Sequence, residues 1–254
     1  MYRQRVIPTL LLRNLGLVKS VKFKKHRYIG DPINAVKIFN DLKADELVFL
    51  DINANKENRK VSLEFVKKVG AEANMPFSVG GGIKTISDIK EIINAGAEKV
   101  VLNTFAFENP QFVKDAVNEF GSSTIVVSID VKKRIFKGQQ VYILSGTKPT
   151  GKEPVTYAKQ IQDLGAGEII LNSIDNDGLM SGYDIELIKK VSKEVEIPVV
   201  ALGGAGTLSD MSLAINKGYA SAVAAGSMFV YHGPRKAVLI NYPSKDELFN
   251  FLNK

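Results

Sequence analysis

The sequence has 254 residues, of which 45% are hydrophobic and 24% charged, and it contains neither cysteine nor tryptophan. This composition is typical of a globular protein and excludes disordered, collagen-like and coiled-coil chains. The lack of cysteine excludes a disulfide framework, a zinc–thiolate site, an iron–sulfur cluster and a cysteine nucleophile. With two histidines, His26 and His232, a histidine-based metal site is not expected either. We therefore expect no metal and no cofactor.

The charge and hydropathy patterns limit where the protein works. No apolar run approaches the roughly 18 residues that a membrane span needs, and no signal-peptide cleavage site follows the N-terminal segment. We expect a cytoplasmic protein with no membrane partner. The net charge of +7 fits a phosphorylated substrate or nucleic acid. The densest basic stretch, residues 19–28, includes Phe23 and Tyr28. It fits an anion site or a solvated loop, and less well a nucleic-acid surface.

Short apolar strands alternate with amphipathic helices along the chain. The predicted strands are Arg5–Leu12, Glu46–Asp51, Pro76–Gly80, Lys99–Asn103, Thr124–Asp130, Glu168–Asn172, Pro198–Leu202 and Ala220–Ala225. The predicted helices are Pro32–Leu42, Lys60–Ala73, Ile86–Ala95, Pro110–Glu119, Pro154–Leu164, Asp184–Val195, Leu208–Lys217 and Lys245–Leu252. Eight strand–helix units in about 250 residues indicate an α/β fold, either a (β/α)₈ barrel or a doubly wound sheet.

An internal repeat favours the barrel. Residues 46–53 line up with residues 168–175, and residues 75–82 line up with residues 197–204, both at an offset of 122 positions. We therefore predict a TIM barrel built from two (β/α)₄ half-barrels, about 1–121 and 122–254, in a single domain of residues 1–254. Function in this fold lies at the carboxyl ends of the strands, and the repeat predicts two equivalent sites facing each other there.

Two glycine clusters occupy equivalent positions in the repeat. Each combines a glycine run after one strand with two residues after the next: Gly80, Gly81 and Gly82 with Asn103 and Thr104, and Gly203, Gly204 and Gly206 with Gly226 and Ser227. Glycines let backbone N–H groups approach an anion, and a helix N-terminus adds its dipole. The pair predicts two phosphate sites and a substrate phosphorylated at both ends. The alternative is that these are turn glycines only.

Four carboxylates follow predicted strand ends, namely Asp51, Asp130, Asp175 and Asp177. Asp130 ends an apolar strand, so we expect it at the barrel mouth as a general acid or base; the alternative is a helix cap or a loop hydrogen bond. The repeat places Leu11 opposite Asp130. Because leucine cannot transfer a proton, these two positions do not supply a carboxylate pair.

Four charged residues lie at the opposite ends of the strands. Arg5, Glu46, Lys99 and Glu168 each begin a predicted strand, two with each sign. Such a ring could close the bottom of the barrel, where residues usually serve stability. The functional alternative is a gate on the barrel axis.

Further segments point to a known family. They are Asp45-Glu-Leu-Val-Phe-Leu-Asp-Ile, Phe77-Ser-Val-Gly-Gly-Gly-Ile, Ala97-Glu-Lys-Val-Val-Leu-Asn-Thr, Gly165-Ala-Gly-Glu-Ile-Ile-Leu-Asn-Ser-Ile-Asp-Asn-Asp-Gly and Ala201-Leu-Gly-Gly-Ala-Gly. Over about residues 1–231 the chain resembles the cyclase subunit of imidazole glycerol phosphate synthase, the HisF family. The resemblance implies a barrel that receives ammonia from a separate HisH-type glutaminase subunit docked on its N-terminal face.

In that family ammonia passes the charged ring and travels up the barrel. At the top it attacks a ribulosyl aminoimidazole carboxamide nucleotide with two phosphates, giving imidazole glycerol phosphate and an aminoimidazole carboxamide ribotide. The family's acid and base are aspartates ending strands one and five. The resemblance thus implies Asp130 as the catalytic residue and Arg5, Glu46, Lys99 and Glu168 as the ammonia gate. The expected substrate and phosphate contacts are Lys19, Gly81, Gly82, Asn103, Thr104, Asp177, Gly178, Gly203, Gly204 and Ser227.

The chain departs from the family at three site positions. Leu11 replaces the first aspartate, and Leu202 and Gly226 stand where the family usually has serines near a phosphate. The tail after Tyr231 resembles HisF-type paralogues associated with surface-polysaccharide genes, which are thought to supply ammonia to a third protein that amidinates an acetamido sugar. We expect this role. The alternatives are the cyclase of histidine biosynthesis and a non-catalytic scaffold for the glutaminase.

Overall fold

A computed structural model of the chain describes residues 4–252; residues 1–3 and 253–254, at the ends of the predicted domain, lie outside the described residues. The strands are β1 (Arg5–Arg13), β2 (Gly16–Val21), β3 (Lys24–Gly30), β4 (Leu47–Asp51), β5 (Phe77–Gly80), β6 (Lys99–Leu102), β7 (Ile125–Arg134), β8 (Gly138–Ile143), β9 (Lys148–Pro149), β10 (Glu168–Ser173), β11 (Val199–Leu202), β12 (Ala222–Ala225), β13 (Tyr231–His232) and β14 (Ala237–Val238). The α-helices are α1 (Pro32–Asp41), α2 (Leu63–Glu72), α3 (Ile86–Asn94), α4 (Thr104–Glu108), α5 (Pro110–Phe120), α6 (Pro154–Asp163), α7 (Ile185–Ser192), α8 (Leu208–Asn216) and α9 (Lys245–Leu252).

Within the described residues, eight parallel strands close into a barrel. The order around it is β1, β4, β5, β6, β7, β10, β11 and β12, and β12 pairs with β1 through Ala222 and Arg5. The predicted α/β TIM barrel is therefore confirmed. The predicted elements are present with shifted ends. For example, α2 begins at Leu63 because the Ser62 side chain accepts a hydrogen bond from the backbone N–H of Phe65.

The repeat is visible in matching helix caps. Thr85 caps α3 in a capping box with Asp88, and Thr207 caps α8 in the same way with Asp210. The two caps stand at the offset of 122 positions found in the sequence. Each box satisfies two backbone donors that a helix start would otherwise leave unpaired, so the two halves position their third helices by the same local device.

Alternate residues of the barrel strands form two separate cores. One side of each strand packs against the surrounding helices in a large cluster that includes Phe39, Phe49 and Ile129. The other side faces the axis and forms a smaller cluster of its own: Ile7, Val48, Val101, Val126, Ile170, Val200, Leu202, Ala222 and Ala224. This apolar layer fills the middle of the barrel, and polar residues on the same strands lie below and above it.

Three β-hairpins project from the C-terminal face in segments where the sequence predicted no strands. β2 and β3 form an antiparallel hairpin after β1, β7 extends to Arg134 and pairs with β8, and β13 pairs with β14. The basic stretch of residues 19–28, one interpretation of which was a solvated loop, is thus the greater part of the β2–β3 hairpin.

Candidate functional site

The N-terminal end of the barrel holds a closed ring of ion pairs. Arg5 Nη1 lies 2.5 Å from Glu46 Oε2, and the second Arg5 nitrogen bonds Glu168. Lys99 Nζ lies 3.4 Å from Glu46 Oε1 and 3.1 Å from Glu168 Oε2. Each cation therefore contacts both carboxylates. The structure brings the four predicted ring residues together across the axis.

Ser78, a neighbouring residue, also bonds the ring, in addition to the ion pairs among its four members. Ser78 Oγ donates to Glu46 Oε1 at 3.0 Å, and both glutamates are buried. Burial would lower the pKa of the Arg5 guanidinium, but its bonds to Glu168 and Glu46 outweigh it and raise the pKa. Arg5 therefore stays charged, and the ring is a neutral set of two cations and two anions. Such a set is tolerated at a buried position only while every member stays paired.

An apolar layer lies directly above the ring on the same strands. Two residues along each strand, Arg5 is followed by Ile7, Lys99 by Val101 and Glu168 by Ile170. These three side chains are fully or almost fully buried in the inner cluster. A layer of this chemistry gives no hydrogen bonds to an ion, so only a small neutral molecule could cross it at low cost.

Asp130 lies above the apolar layer between two amides. Asn172 Nδ2 donates to Asp130 Oδ1 at 3.2 Å, and Asn103 Nδ2 donates to Asp130 Oδ2 at 3.2 Å. Burial raises the pKa of the Asp130 carboxyl to about 7, the negative charge of Asp177 adds to the rise, and the two amide donors oppose it. A carboxyl with this pKa exists in both protonation states near neutral pH, as a general acid or base must.

Lys19 is buried on the other side of the upper barrel. Its Nζ donates to the Thr9 backbone oxygen at 2.6 Å, and burial lowers its pKa to about 8 against the attraction of Asp177. A Cβ added at Gly226 would lie 2.3 Å from Lys19 Nζ. The lysine therefore occupies the space that a side chain at residue 226 would need.

The first predicted phosphate cluster has its side-chain donors engaged within the protein. Asn103 Nδ2 also donates to the Ser128 backbone oxygen at 2.9 Å, and Thr104 Oγ1 donates to Asn103 Oδ1 at 3.2 Å. These donors were expected to face a phosphate. Asn103 thus holds Asp130 and the Ser128 backbone, Thr104 holds Asn103, and their contact with a phosphate stays a prediction. Gly81 and Gly82 adopt positive φ values of 134° and 66°. At Gly82 a Cβ would meet the Arg59 backbone oxygen at 1.8 Å, so glycine is required there.

The second predicted cluster is built mainly of backbone. Gly203 and Gly204 have φ values of 91° and 117°, and Ser227 begins a 3₁₀ turn. The leucine at position 202, which follows the apolar pattern of β11, is buried in the inner cluster. This side of the mouth therefore has fewer side-chain donors than the other.

Asp177 and Gly178 belong to a contact between the β10–α7 loop and the β2–β3 hairpin. Asp177 Oδ2 accepts a bond of 3.0 Å from Ser20 Oγ, and a Cβ on Gly178 would lie 2.1 Å from the Ser20 backbone oxygen. Burial raises the pKa of Asp177, while the Ser20 bond and the Lys19 charge lower it. Both residues fasten the hairpin over the mouth, and the substrate contact expected of them stays a prediction.

Two other strand-end carboxylates serve local structure. Asp51 accepts bonds from Arg59 at 2.6 Å and from the backbone N–H groups of Asn53 and Ala54. Asp175 accepts a 2.8 Å bond from the backbone N–H of Lys133. For these two aspartates the structure agrees with the alternative given above, a hydrogen bond within a loop, rather than with an acid–base role.

The comparisons with known proteins agree with this geometry. A family model described as "Histidine biosynthesis protein" matches residues 5–234, a span that contains every barrel strand. The chain belongs to this family, and within it to the HisF type. Within the part of the chain that the structure describes, no helix is long and apolar enough to cross a membrane, and no group of three or more His, Cys, Asp or Glu side chains is arranged to hold a metal ion.

Several HisF relatives cover nearly the whole chain. A "Putative imidazole glycerol phosphate synthase subunit hisF3" from Vibrio vulnificus is 46% identical over 248 residues, which are 97% of this chain and 95% of that protein. The hisF2 counterpart from Pseudomonas aeruginosa is 44% identical over 98% of this chain and 99% of its own length. An "Imidazole glycerol phosphate synthase subunit HisF" from Alkaliphilus metalliredigens is 44% identical over 91% of this chain and 92% of its own length.

Sequence reasoning missed Asn172 as a site residue of this HisF-type barrel. Its amide holds Asp130 in the upper barrel, yet it was treated only as the end of a strand. The repeat carried a signal, because Asn172 aligns with Leu50 in the first half. A polar residue at an inward position whose repeat partner is apolar has no packing reason to be there, and it is therefore a candidate for the site.

Proposed function

We propose that this chain is the ammonia-receiving synthase subunit of a glutamine amidotransferase. A HisH-type glutaminase docks on the N-terminal face, and its ammonia enters between Arg5, Glu46, Lys99 and Glu168. It then crosses the apolar layer to Asp130. The observation that supports this most is the closed ion-pair ring directly below an apolar layer, with one ionisable carboxyl above it. The relatives' names, which include an imidazole glycerol phosphate synthase subunit, favour the same assignment.

Lys99 is the ring member that we propose to move. It pairs with both glutamates at longer distances than Arg5 does. When Lys99 swings aside, Arg5 still bonds both carboxylates, so the opening leaves no glutamate unpaired. Neutral ammonia can pass at that moment, while ions meet the apolar layer above.

We propose that the ammonia acceptor is an acetamido sugar bound to a third protein in surface-polysaccharide synthesis. Two features support an acceptor other than the family's nucleotide: Leu11 in place of the first aspartate, and Leu202 and Gly226 in place of serines. Cyclisation on this barrel would have Asp130 without an opposite base. Loss of one acid–base group costs about 10²–10⁴-fold in rate.

The histidine-pathway cyclase is the second candidate, and the name of the Alkaliphilus relative favours it. An ammonia-driven cyclisation assay on the purified protein separates the two. The sugar role predicts weak or absent turnover. A rate on the order of 1 s⁻¹ or more, the low end for enzymes, would support the cyclase instead.

The gate is tested by Lys99→Ala in the complex reconstituted with its glutaminase. We expect the ratio of glutamine-driven to free-ammonia-driven rates to fall, because ammonia leaks where the two subunits meet. The matched control is Lys60→Ala. Lys60 also pairs with two carboxylates, Asp88 at 3.0 Å and Glu91 at 2.9 Å, but it lies outside the barrel.

Stability distinguishes a gate from a merely structural ring. Both variants lose ion pairs, and the Lys99→Ala loss is on the order of 3 kcal/mol for a mostly buried pair. If Lys99→Ala lowers the melting temperature but leaves the rate ratio equal to that of Lys60→Ala and of the unaltered complex, the ring is structural and the channel proposal is wrong.

A further inference from the structure

Two buried acceptor atoms of the upper barrel have no hydrogen bond within the described residues. They are Thr9 Oγ1 and Asn172 Oδ1, and their residues are only 3% and 5% exposed. A buried polar atom without a partner costs roughly 1–3 kcal/mol, and such atoms nearly always bind a protein group, a water molecule or a ligand. Thr9 lies on β1 and Asn172 on β10, and each of the two acceptors calls for a partner.

The orientation of Asn172 is set by Asp130. The ionised Asp130 carboxylate only accepts, so in that state the Asn172 amide nitrogen faces it, as it does at 3.2 Å, and the amide oxygen points away. That oxygen lies beside Gly203, where an added Cβ would come within 2.7 Å of it. A side chain at Gly203 would therefore crowd this acceptor, and glycine leaves the space beside it unfilled. The Asn172 amide nitrogen therefore has its hydrogen-bond partner in Asp130, whereas the amide oxygen has none within the described residues.

Both acceptors are the first polar atoms above the apolar layer on their strands. Thr9 follows Ile7 by two residues on β1, and Asn172 follows Ile170 by two residues on β10. Because the side chains of a strand alternate between its two faces, each acceptor faces the axis as the apolar residue below it does. A small molecule that crosses the apolar layer therefore comes within reach of both oxygens.

We propose that this polar layer is an ammonia-binding site, with Asn172 Oδ1 and Thr9 Oγ1 as acceptors of N–H bonds and the Asp130 carboxyl beside Asn172. The proposal rests on the proposed function, since that function delivers ammonia to this point. Ammonia carries three N–H donors, and an apolar passage satisfies none of them. The unpaired acceptors restore those hydrogen bonds. The carboxyl of Asp130 can then exchange a proton with the bound molecule, so that one site serves ammonia and ammonium.

The site is tested by the stabilisation that ammonium salt gives to the isolated chain, with no partner or reaction required. A ligand that binds the folded state raises the melting temperature as its concentration exceeds its dissociation constant. We expect ammonium chloride to raise the melting temperature above that in sodium chloride of equal ionic strength. The shift should be about 3 °C at roughly ten times the dissociation constant. Thr9→Val and Asn172→Leu should remove this ammonium-specific shift.

Ser192→Ala is the matched control. Ser192 Oγ is also buried without a hydrogen bond within the described residues, but it lies on α7, outside the barrel. It should keep the full ammonium-specific shift. Thr9→Val keeps the shape of the side chain, so it should fold. If the unaltered chain shows equal melting temperatures in the two salts, or if Thr9→Val and Asn172→Leu keep the shift, the proposal is overturned.

Crystals soaked in a thallous salt give a second, direct measurement. Thallous ion resembles ammonium in size and charge and is located by its anomalous scattering. A peak against Asn172 Oδ1 that disappears in Asn172→Leu crystals supports the site, whereas peaks only elsewhere contradict it. Failure here leaves the rate-ratio test of Lys99→Ala unaffected. Conversely, a failed rate ratio with an ammonium-specific shift would reject the channel and keep the site.

Discussion

Asp130 makes the stability of the fold depend on pH. Burial raises its pKa to about 7 in the folded chain, compared with about 3.9 in an unfolded one. Between these values the folded state holds a proton that the unfolded state has lost. Stability therefore falls as pH rises from about 4 to 7 and then levels off. We expect Asp130→Asn to gain stability relative to the unaltered chain over that range, by at most about 4 kcal/mol.

The measurement is the difference in unfolding free energy between the variant and the unaltered chain from pH 4.5 to pH 7.5. Lys19, whose pKa is about 8, begins to titrate at the upper end of that range, but both chains contain it and its contribution cancels in the difference. Asp163→Asn on the exposed end of α6 serves as the control and should show no comparable trend. If the difference stays constant with pH, Asp130 is charged over the whole range, and the hydrogen bonds from Asn172 and Asn103 offset the effect of burial on its pKa.

The site residues that could be predicted from the sequence are charged residues within or beside otherwise apolar strands. Asp130 and the four ring residues interrupt or begin apolar runs, and the structure places them above and below the inner cluster as expected. The phosphate contact of Asn103 stays a prediction, and the structure shows that its amide nitrogen bonds Asp130 and Ser128. Sequence spacing locates a polar side chain at the mouth. It does not decide which acceptor the amide turns to, because that depends on neighbouring strands.

At the scale of elements, the β2–β3 hairpin closes over the mouth through a few contacts at its tip. The backbone N–H of Lys22 donates to the Asp177 oxygen at 3.0 Å. The Phe23 ring lies over Gly146, where an added Cβ would meet it at 2.8 Å. Both tip residues have positive φ, 52° and 61°, which costs a non-glycine residue on the order of 1 kcal/mol. Contacts with the rest of the barrel therefore hold the tip in place.

We expect Phe23→Ala to open this hairpin locally. Loss of the ring contact removes on the order of 1–2 kcal/mol of burial, which corresponds to about a tenfold rise in amide hydrogen exchange across β2 and β3. Exchange in β4 and β10 should stay unchanged. Phe136→Ala is the control, since Phe136 is fully exposed at the tip of the β7–β8 hairpin and has no packing to lose. Equal exchange in both variants would show that the Phe23 ring does not hold the hairpin.

The β2–β3 hairpin shows why some strands could not be predicted from the sequence. The barrel strands and helices follow from hydrophobic periodicity and caps, but the β1–β2 turn at Asn14 and Leu15 and the β2–β3 turn at Lys22 and Phe23 use non-glycine residues at positive φ. Glycine or asparagine usually signals such turns, and the first turn has Asn14 whereas the second has neither residue. Because the second turn lacks that signal, the β2–β3 hairpin was not predicted. Tertiary contacts, which the sequence does not display, decide the conformation.

Across the whole molecule, positive charge is concentrated at the C-terminal face, and the rest of the barrel, its body, has a net negative charge. Three segments, residues 13–30, 131–152 and 231–244, contain the projecting hairpins. They carry 14 of the 34 lysines and arginines and none of the 27 aspartates and glutamates. The rest of the chain has 20 basic and 27 acidic residues, so the net charge of +7 comes entirely from these segments. A concentrated positive field at the mouth attracts anions to it.

This field should strengthen anion binding at the mouth in a salt-dependent way. We expect Lys133→Glu with Lys137→Glu, both exposed on the β7–β8 hairpin, to weaken binding of inorganic pyrophosphate about three- to fivefold at low salt. Changing four charges at a separation on the order of 15 Å has an effect of this size in water. Because the screening length shrinks to about 3 Å at 1 M salt, the effect should vanish there. The measurement is calorimetric titration at both salt concentrations.

A double variant on the body gives the control for this prediction. Lys67→Glu with Lys114→Glu makes the same change of net charge on exposed positions of α2 and α5, which cover the side of the barrel. If net charge alone mattered, the two double variants would weaken pyrophosphate binding equally. If the hairpins focus the field at the mouth, only the β7–β8 variant loses affinity, and its loss shrinks as salt is added. Equal losses in the two variants would reject a mouth-directed field and leave the hairpin lysines a solvated surface.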